Sequence, residues 1–411
     1  MLISLISPFR TLLNIDTNLA YFRAKEFSDF LAQIVGSMGK ENGVTYETDR
    51  RPPPEKPFTK YRHLDQLHST WFTTPLSSAT LLEDQIKAME RFAERSELFT
   101  LRHAQRPLSA KVDIHDNTLA VLSMELEFDE DLICEHFKSA SDLEAYLSNY
   151  SAACARYCTV AVIQPYLEAF ERVCQINSGF PKAINLLRRP KEFLAFNDLE
   201  HHDFPVWNVD DEPSLWTHRI YHLDSLNLQH GVHLNSLLRI PNHTENVIVG
   251  QGTTWLRNGA LAHNLRRINS TCQYFYCMVD ALNLSQKRLL RQVAGHNSSF
   301  DIDDTYARYD RQETILTEMK NELLDFTTGL QGSSRDMFDY TQVAFKTHEL
   351  IEAMEQRSEL LRQKIDRAQG RRSLFQQRLL AFSLVLLGAI QIVSLVMQLF
   401  NYPNEDFNND Q

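Results

Sequence analysis

The chain reads as an α+β or α/β cytoplasmic domain followed by a long-helix stalk, or coiled coil, and one C-terminal transmembrane helix. Three observations predict that class. From Leu379 to Phe400 the sequence LLAFSLVLLGAIQIVSLVMQLF holds twenty-two residues without a charge, about the length an α-helix needs to cross a hydrocarbon core of roughly 30 Å. Thirteen of the fourteen prolines lie at or before Pro241 and the last is Pro403, so the interval between them can be mostly helix. Ahead of Pro241, segments of period two alternate with segments of helical period, as in a domain that mixes strands and helices. The expected divisions are residues 1–255 for the domain, 256–378 for the stalk, 379–400 for the span and 401–411 for an acidic tail.

The N-terminal elements follow from their periods. In Thr118 to Phe128, Ala120, Leu122, Met124, Leu126 and Phe128 alternate with Val121, Ser123, Glu125 and Glu127, the pattern of a half-buried strand. Ala110 to Ile114 can pair with it as a hairpin across Asp116-Asn117. Further strands are expected at Trp216 to Leu223, Val232 to Ile240 and Val247 to Thr254, and helices at Leu81 to Leu98, Ser141 to Tyr150 and Cys154 to Gln175. The stretch DRRPPPEKP at Asp49 to Pro57 reads as an exposed linker with extended polyproline character. The start, MLISLISPFRTLLNID, is interrupted by Pro8 and Arg10 and lacks a charged n-region, so it does not read as a signal peptide.

Long helices take over from about Leu261. The first ends near Gly295-His296-Asn297, and the second is launched by Asp301, Asp303 and Asp304, acids suited to a helix N-terminus. That second helix pauses at Gly329-Leu330-Gln331-Gly332. Ser333 and Ser334 then cap a third that runs into the span. Along the third helix a 3-4 spacing picks out Met337, Tyr340, Ala344, Thr347, Ile351, Met354, Ser358, Leu361, Ile365, Ala368, Arg372, Phe375 and Leu379, an imperfect heptad seam. It predicts either a coiled coil between subunits or a core-facing stripe packed against the preceding helices of the same chain. Gly370 is its expected soft point.

Within the span, Ser383, Gln391, Ser394 and Gln398 fall in an arc of about 80° at roughly 100° per residue. Such a stripe suits contact with neighbouring helices or a watery lumen, and a plain anchor with scattered polar residues is the simpler alternative. Arg362, Lys364, Arg367, Arg371, Arg372 and Arg378 precede the span, whereas the tail carries Glu405, Asp406 and Asp410 and no Lys or Arg. The positive-inside rule then places the N-terminal body in the cytoplasm and the tail on the opposite side of the bilayer.

Charge and cysteine content narrow the function. With 411 residues, 43% hydrophobic and 23% charged, the chain can bury a full core. Its net charge of −11 argues against a dedicated nucleic-acid binder, although Leu187-Arg188-Arg189-Pro190-Lys191 forms a local basic run. Six cysteines are too few for a disulfide scaffold of this length, and reduced, buried thiols are expected. His201, His202, Asp203, Asp210 and Asp211 gather metal-capable side chains in one loop that could hold a divalent cation, and a solvated loop is the plainer account. Gly250-Gln251-Gly252-Thr253-Thr254 follows an apolar strand but lacks the Lys and spacing of a phosphate-cradling loop, which favours a strand-end turn or bulge. There is no G-x-S-x-G and no H-E-x-x-H, and no enzyme class is indicated. His218, His222, His230 and His233 could make the domain pH-responsive, or simply form a polar strand face.

A cytoplasmic α/β domain, then long helices, then one very long helix leading into a C-terminal span resembles the CorA-type magnesium transporter family in layout. That resemblance implies a homo-oligomer, a pentamer in the family, with the long helix lining a pore. The family's Gly-Met-Asn motif at the end of its first span is replaced here by Leu399-Phe400-Asn401-Tyr402-Pro403, and no second span follows in the remaining residues. Magnesium selectivity is therefore not implied. The expected function is a single-span, membrane-anchored oligomer, channel-like or membrane-perturbing, with the lipid bilayer and further copies of itself as partners. The alternatives are a non-conducting scaffold or sensor that binds a protein or small molecule, and a membrane-anchored enzyme without a recognisable motif.

Overall fold

The computed structural model describes residues 2–15, 24–39, 43–48, 75–95, 105–115, 117–129, 137, 140–176, 184–186, 216–222, 238–239, 247–250, 252–256, 262–295, 302–330 and 332–400. It is a mixed α/β body whose last element is a C-terminal helix long and apolar enough to span a membrane. Contacts divide the chain into two compact units, 1–285 with 312–354 and 286–311 with 355–411.

The first unit is built on a ten-stranded sheet. Its strands are β1 (Leu2–Ile15), β2 (Val44–Glu47), β3 (Ser77–Leu81), β4 (Gln105–Ile114), β5 (Asn117–Phe128), β6 (Ile184–Leu186), β7 (His218–His222), β8 (Leu238–Arg239), β9 (Val247–Gly250) and β10 (Thr253–Leu256). The order is β2-β3-β4-β5-β1-β7-β10-β9-β8, with β6 on the far end of β1. All neighbours are antiparallel except β7 and β10.

Helices cover both faces of this sheet, so alternate residues of one strand enter different cores. Ile3, Leu5 and Phe9 of β1, with Ala120, Leu122, Met124, Leu126 and Phe128 of β5, join a core with Phe30, Met89, Leu147, Tyr166 and Phe170. Those five come from α1 (Ala24–Met38), α2 (Glu83–Arg95), α3 (Ala140–Cys158) and α4 (Gln164–Ile176). Ile6, Leu119, Val121, Ile220, Val249 and Leu256 point the other way, into a second core with Leu265, Phe275, Met278, Met319, Phe338 and Met354. These belong to α5 (Ala262–Gly295), α6 (Ile302–Gly329), α7 (Ser333–Phe345) and α8 (Thr347–Phe400). The strand expected to be half-buried is thus buried on both sides at Leu119 to Leu122.

The hairpin of β4 and β5 forms where the sequence places it, with Ile114 opposite Ala120. The run expected as one strand from Val247 to Thr254 is instead the hairpin β9–β10, with Gly250 opposite Thr253. Gly252 makes the turn at φ +81°, a left-handed conformation that favours glycine. The strand β1 carries no period-two signal because both of its faces are covered. Pro8 is tolerated in it because the ladder to β7 ends at Ile6, while β5 continues alongside.

Two expected helices, Ser141 to Tyr150 and Cys154 to Gln175, form one continuous path through α3, a π-helical segment Thr159–Ile163, and α4. Pro165 has no N–H to give Ala161, and the ladder adjusts just before it. The Tyr46 hydroxyl donates to the carbonyl of Val162 in that segment at 2.9 Å.

The long helices end where Gly295 and the Gly329–Gly332 pause predict. The third does not run unbroken. Lys346 adopts φ 58°, ψ 31° and ends α7, its N–H donating to the carbonyls of Gln342 and Val343. Its own carbonyl accepts from the N–H of Leu350, starting α8. The expected soft point Gly370 lies inside continuous helix.

The seam residues Met337, Thr347, Ile351, Met354, Ser358, Leu361 and Ile365 are buried by the rest of this chain. In the second unit, Leu289 and Thr305 are buried as well, and Arg372 Nη1 pairs with Asp303 Oδ2 at 3.1 Å. Past Ala368, which is half-buried, the seam is exposed: Phe375 keeps 67% of its surface and Leu379 56%.

Candidate functional site

The exposed part of α8 is the most distinctive surface of the molecule. Leu374, Phe375, Leu379, Leu380, Phe382, Leu384, Val385, Leu386, Leu387, Ile390, Ile392, Val393, Leu395, Val396 and Met397 are all exposed, and they point to every side of the helix. A soluble helix confines its apolar residues to one face. One that is apolar all round needs lipid or protein on every side, and none of its most apolar eighteen-residue window is buried. From Leu379 to Phe400 it is about 33 Å long at roughly 1.5 Å per residue. It is one candidate membrane span near the C-terminus.

Within that segment the polar stripe divides by chemistry. The Ser383 hydroxyl donates to the carbonyl of Leu379 at 2.9 Å, so its donor is used inside the helix. Gln391 and Ser394 are exposed. Gln398 lies in the last turn of α8, and its side chain falls outside the described residues. The cations Arg367, Arg371 and Arg378 stand exposed ahead of the span, with no ion pair among the described residues.

Among the described residues of the body, Arg219 anchors a dense polar network that is structural in form. The period of β7 sends Arg219 to one face of the sheet and His218 to the other. Arg219 Nη1 donates to the Glu144 carbonyl and to Ser148 Oγ, each at 3.2 Å, and Nη2 lies 3.5 Å from Glu144 Oε2. Its backbone N–H donates to the Gly252 carbonyl at 3.0 Å. A Cβ on Gly252 would sit 3.4 Å from Arg219 Nη2, so the turn glycine also leaves room for the guanidinium. Ser7 bonds Ser151 and donates to Thr217 Oγ1 at 3.0 Å on the same face. These bonds tie α3 to strands β1, β7 and β10.

On the opposite face His218 Nε2 and Thr254 Oγ1 are 2.9 Å apart, and the ring packs against Trp216 and Phe345. Burial, with the Arg219 charge behind it, lowers the His218 pKa to about 3. It is a neutral core histidine near pH 7, so it cannot report pH in that range. His222 approaches Ser4 Oγ at 3.4 Å. His230 and His233 lie outside the described residues.

The cysteines give no reactive site among the described residues. Cys154, Cys158, Cys272 and Cys277 are buried and free. Burial pushes the Cys154 thiol up to about 12 and the other three upward as well, the reverse of what a nucleophile or metal ligand needs. The metal candidates His201, His202, Asp203, Asp210 and Asp211 lie outside the described residues, as do the basic run at 187–191 and the linker at 49–57. Among the described residues no group of three or more His, Cys, Asp or Glu could hold a metal ion. Asn269 and Asn283, both in glycosylation sequons, are buried in α5. No family model, characterised protein or solved structure matches the chain.

The Arg219 network was not visible in the sequence. Glu144, Arg219 and Thr253 are far apart along the chain and match no motif, and only the sheet order brings them together. The apolar helix, by contrast, needed no tertiary information.

Proposed function

We propose that this chain is a single-span membrane protein that holds its α/β body at the bilayer surface as a tether or scaffold. The observation that carries this reading is the charge-free run from Leu379 to Phe400, exposed on all sides through Met397. Removing that apolar surface from water is worth about 25 cal/mol per Å², so a bilayer is the environment that stabilises it best. The excess of Arg and Lys before the span favours a cytoplasmic body. A scaffold reading is preferred because the seam that could have joined subunits is occupied by the chain's own helices as far as Ile365.

A second reading is a homo-oligomer, channel-like in the manner of the CorA-type layout, whose subunits meet through the span. It is favoured by Gln391 and Ser394, exposed polar groups on one face at a depth where lipid offers no partner. The mass of the full chain in nanodiscs tests the two. A monomer supports the tether and removes the single-span pore. A closed oligomer of about five subunits, with a conductance abolished by Gln391→Leu with Gln398→Leu, would replace the tether with the pore.

A further inference from the structure

The last charged residues before the span form a surface of their own. Between Arg367 and Arg378 the sequence RAQGRRSLFQQR holds four arginines and no acid, in a chain whose net charge is −11. At roughly 100° per residue, Arg367, Arg371 and Arg378 fall within an arc of about 40° on one side of α8, and Lys364 extends it to about 60°. Of the acids of α8, Glu352, Glu355, Glu359 and Asp366 project to a separate arc on the same scale, roughly 60–120° away from Arg367, and Glu349, which shares the direction of the stripe, stands about 27 Å before Arg367 along the helix. The fourth arginine, Arg372, is turned off this stripe and pairs with Asp303. Arg367, Arg371 and Arg378 are exposed and carry no ion pair among the described residues.

Distance selects the partner. Arg378 adjoins Leu379, and Arg371 is eight residues before it, about 12 Å along the helix. The headgroup layer is roughly 5–7 Å deep on each side of the hydrocarbon. An arginine side chain spans most of the remaining gap, and Arg367 lies within a further Debye length of about 8 Å. A cation row that ends at the edge of a span meets lipid phosphates and carboxylates before any other polyanion.

We propose that Arg367, Arg371 and Arg378 form a binding stripe for anionic phospholipid in the leaflet that α8 enters. The stripe selects those lipids from a mixed bilayer as an annulus around the helix. This inference rests on the membrane-span reading above.

The test uses the full chain in nanodiscs of equal parts phosphatidylcholine and phosphatidylserine, with the lipids retained after extraction into detergent counted by native mass spectrometry. Each cation near the surface should contribute about fivefold in preference (about 1 kcal/mol), so wild type should retain phosphatidylserine at least tenfold over phosphatidylcholine. Arg367→Gln/Arg371→Gln/Arg378→Gln should bring the ratio close to one, as should raising the salt to several hundred millimolar. Equal retention of the two lipids by wild type, or an unchanged preference in the triple variant, overturns the proposal. So does binding of a single-stranded oligonucleotide that is lost in the triple variant while lipid retention is unaltered. Failure of wild type to enter phosphatidylcholine-only nanodiscs would instead remove the span reading itself.

Discussion

Arg219 and Glu144 face each other across the seat of α3 on the sheet, Nη2 to Oε2 at 3.5 Å, and the two ends of that pair are unequal. The Arg219 side chain is 12% exposed and Glu144 40%. The guanidinium also serves the Glu144 carbonyl, Ser148 and Thr253, so the helix is held mainly from the strand side.

Arg219→Ala should therefore cost about 1–3 kcal/mol, because it strips several partly buried acceptors of their donor. Glu144→Gln, a change at a half-exposed partner, should cost less than about 1 kcal/mol. Denaturant unfolding of the two variants in the same detergent checks the asymmetry, and equal losses would contradict it.

His218 gives the body a sign-definite response to acid. Its folded pKa of about 3 lies below its ordinary value of 6.5, so between those pH values the unfolded chain binds the proton and the folded chain does not. The His218 contribution is fully present above about pH 6.5 and declines as pH falls toward 3, by at most about 1.4 kcal/mol per unit. His218→Asn should flatten the stability profile across that window relative to wild type. Parallel profiles for the two proteins would contradict the assignment.

Lys346 carries the left-handed break between α7 and α8 without being glycine. Lys346→Gly should leave stability unchanged or raise it by up to about 1 kcal/mol, whereas the β-branched Lys346→Val should lose about 1–2 kcal/mol. Thermal unfolding separates the pair, and a loss in the glycine variant would mean that the lysine side chain itself stabilises the junction.

The seam of α8 changes environment between Ile365 and Phe375. Leu361→Ala should destabilise the folded chain by about 2–4 kcal/mol. Phe375→Ala, at an exposed position, should stay within about 0.5 kcal/mol. Similar losses at both positions would place Phe375 in a packed interface.

What the sequence revealed depended on how far each signal reaches along the chain. The β4–β5 hairpin, the ends of α5 and α6, and the apolar segment after Arg378 are set by residues a few positions apart, and they are found where local pattern puts them. The strand β1 was hidden because burial on both faces erased its alternation, and a proline within a run weakens the signal of a strand. The break at Lys346 had no glycine or asparagine to announce it. The seam from Met337 to Ile365 was legible as a buried stripe, but its period fits a partner in the same chain as well as one in another. Only the fold shows the chain's own helices covering it.

Alkaline carbonate extraction of membranes from cells expressing the full chain bears most directly on the central claim, that Leu379–Phe400 crosses a bilayer. The wild-type protein should remain in the membrane pellet. Leu386→Arg with Val393→Arg should release it, since each arginine near the middle of a span costs about 2.5–3.5 kcal/mol. Wild-type protein in the supernatant, or a double-arginine variant retained as firmly as wild type, would contradict the account.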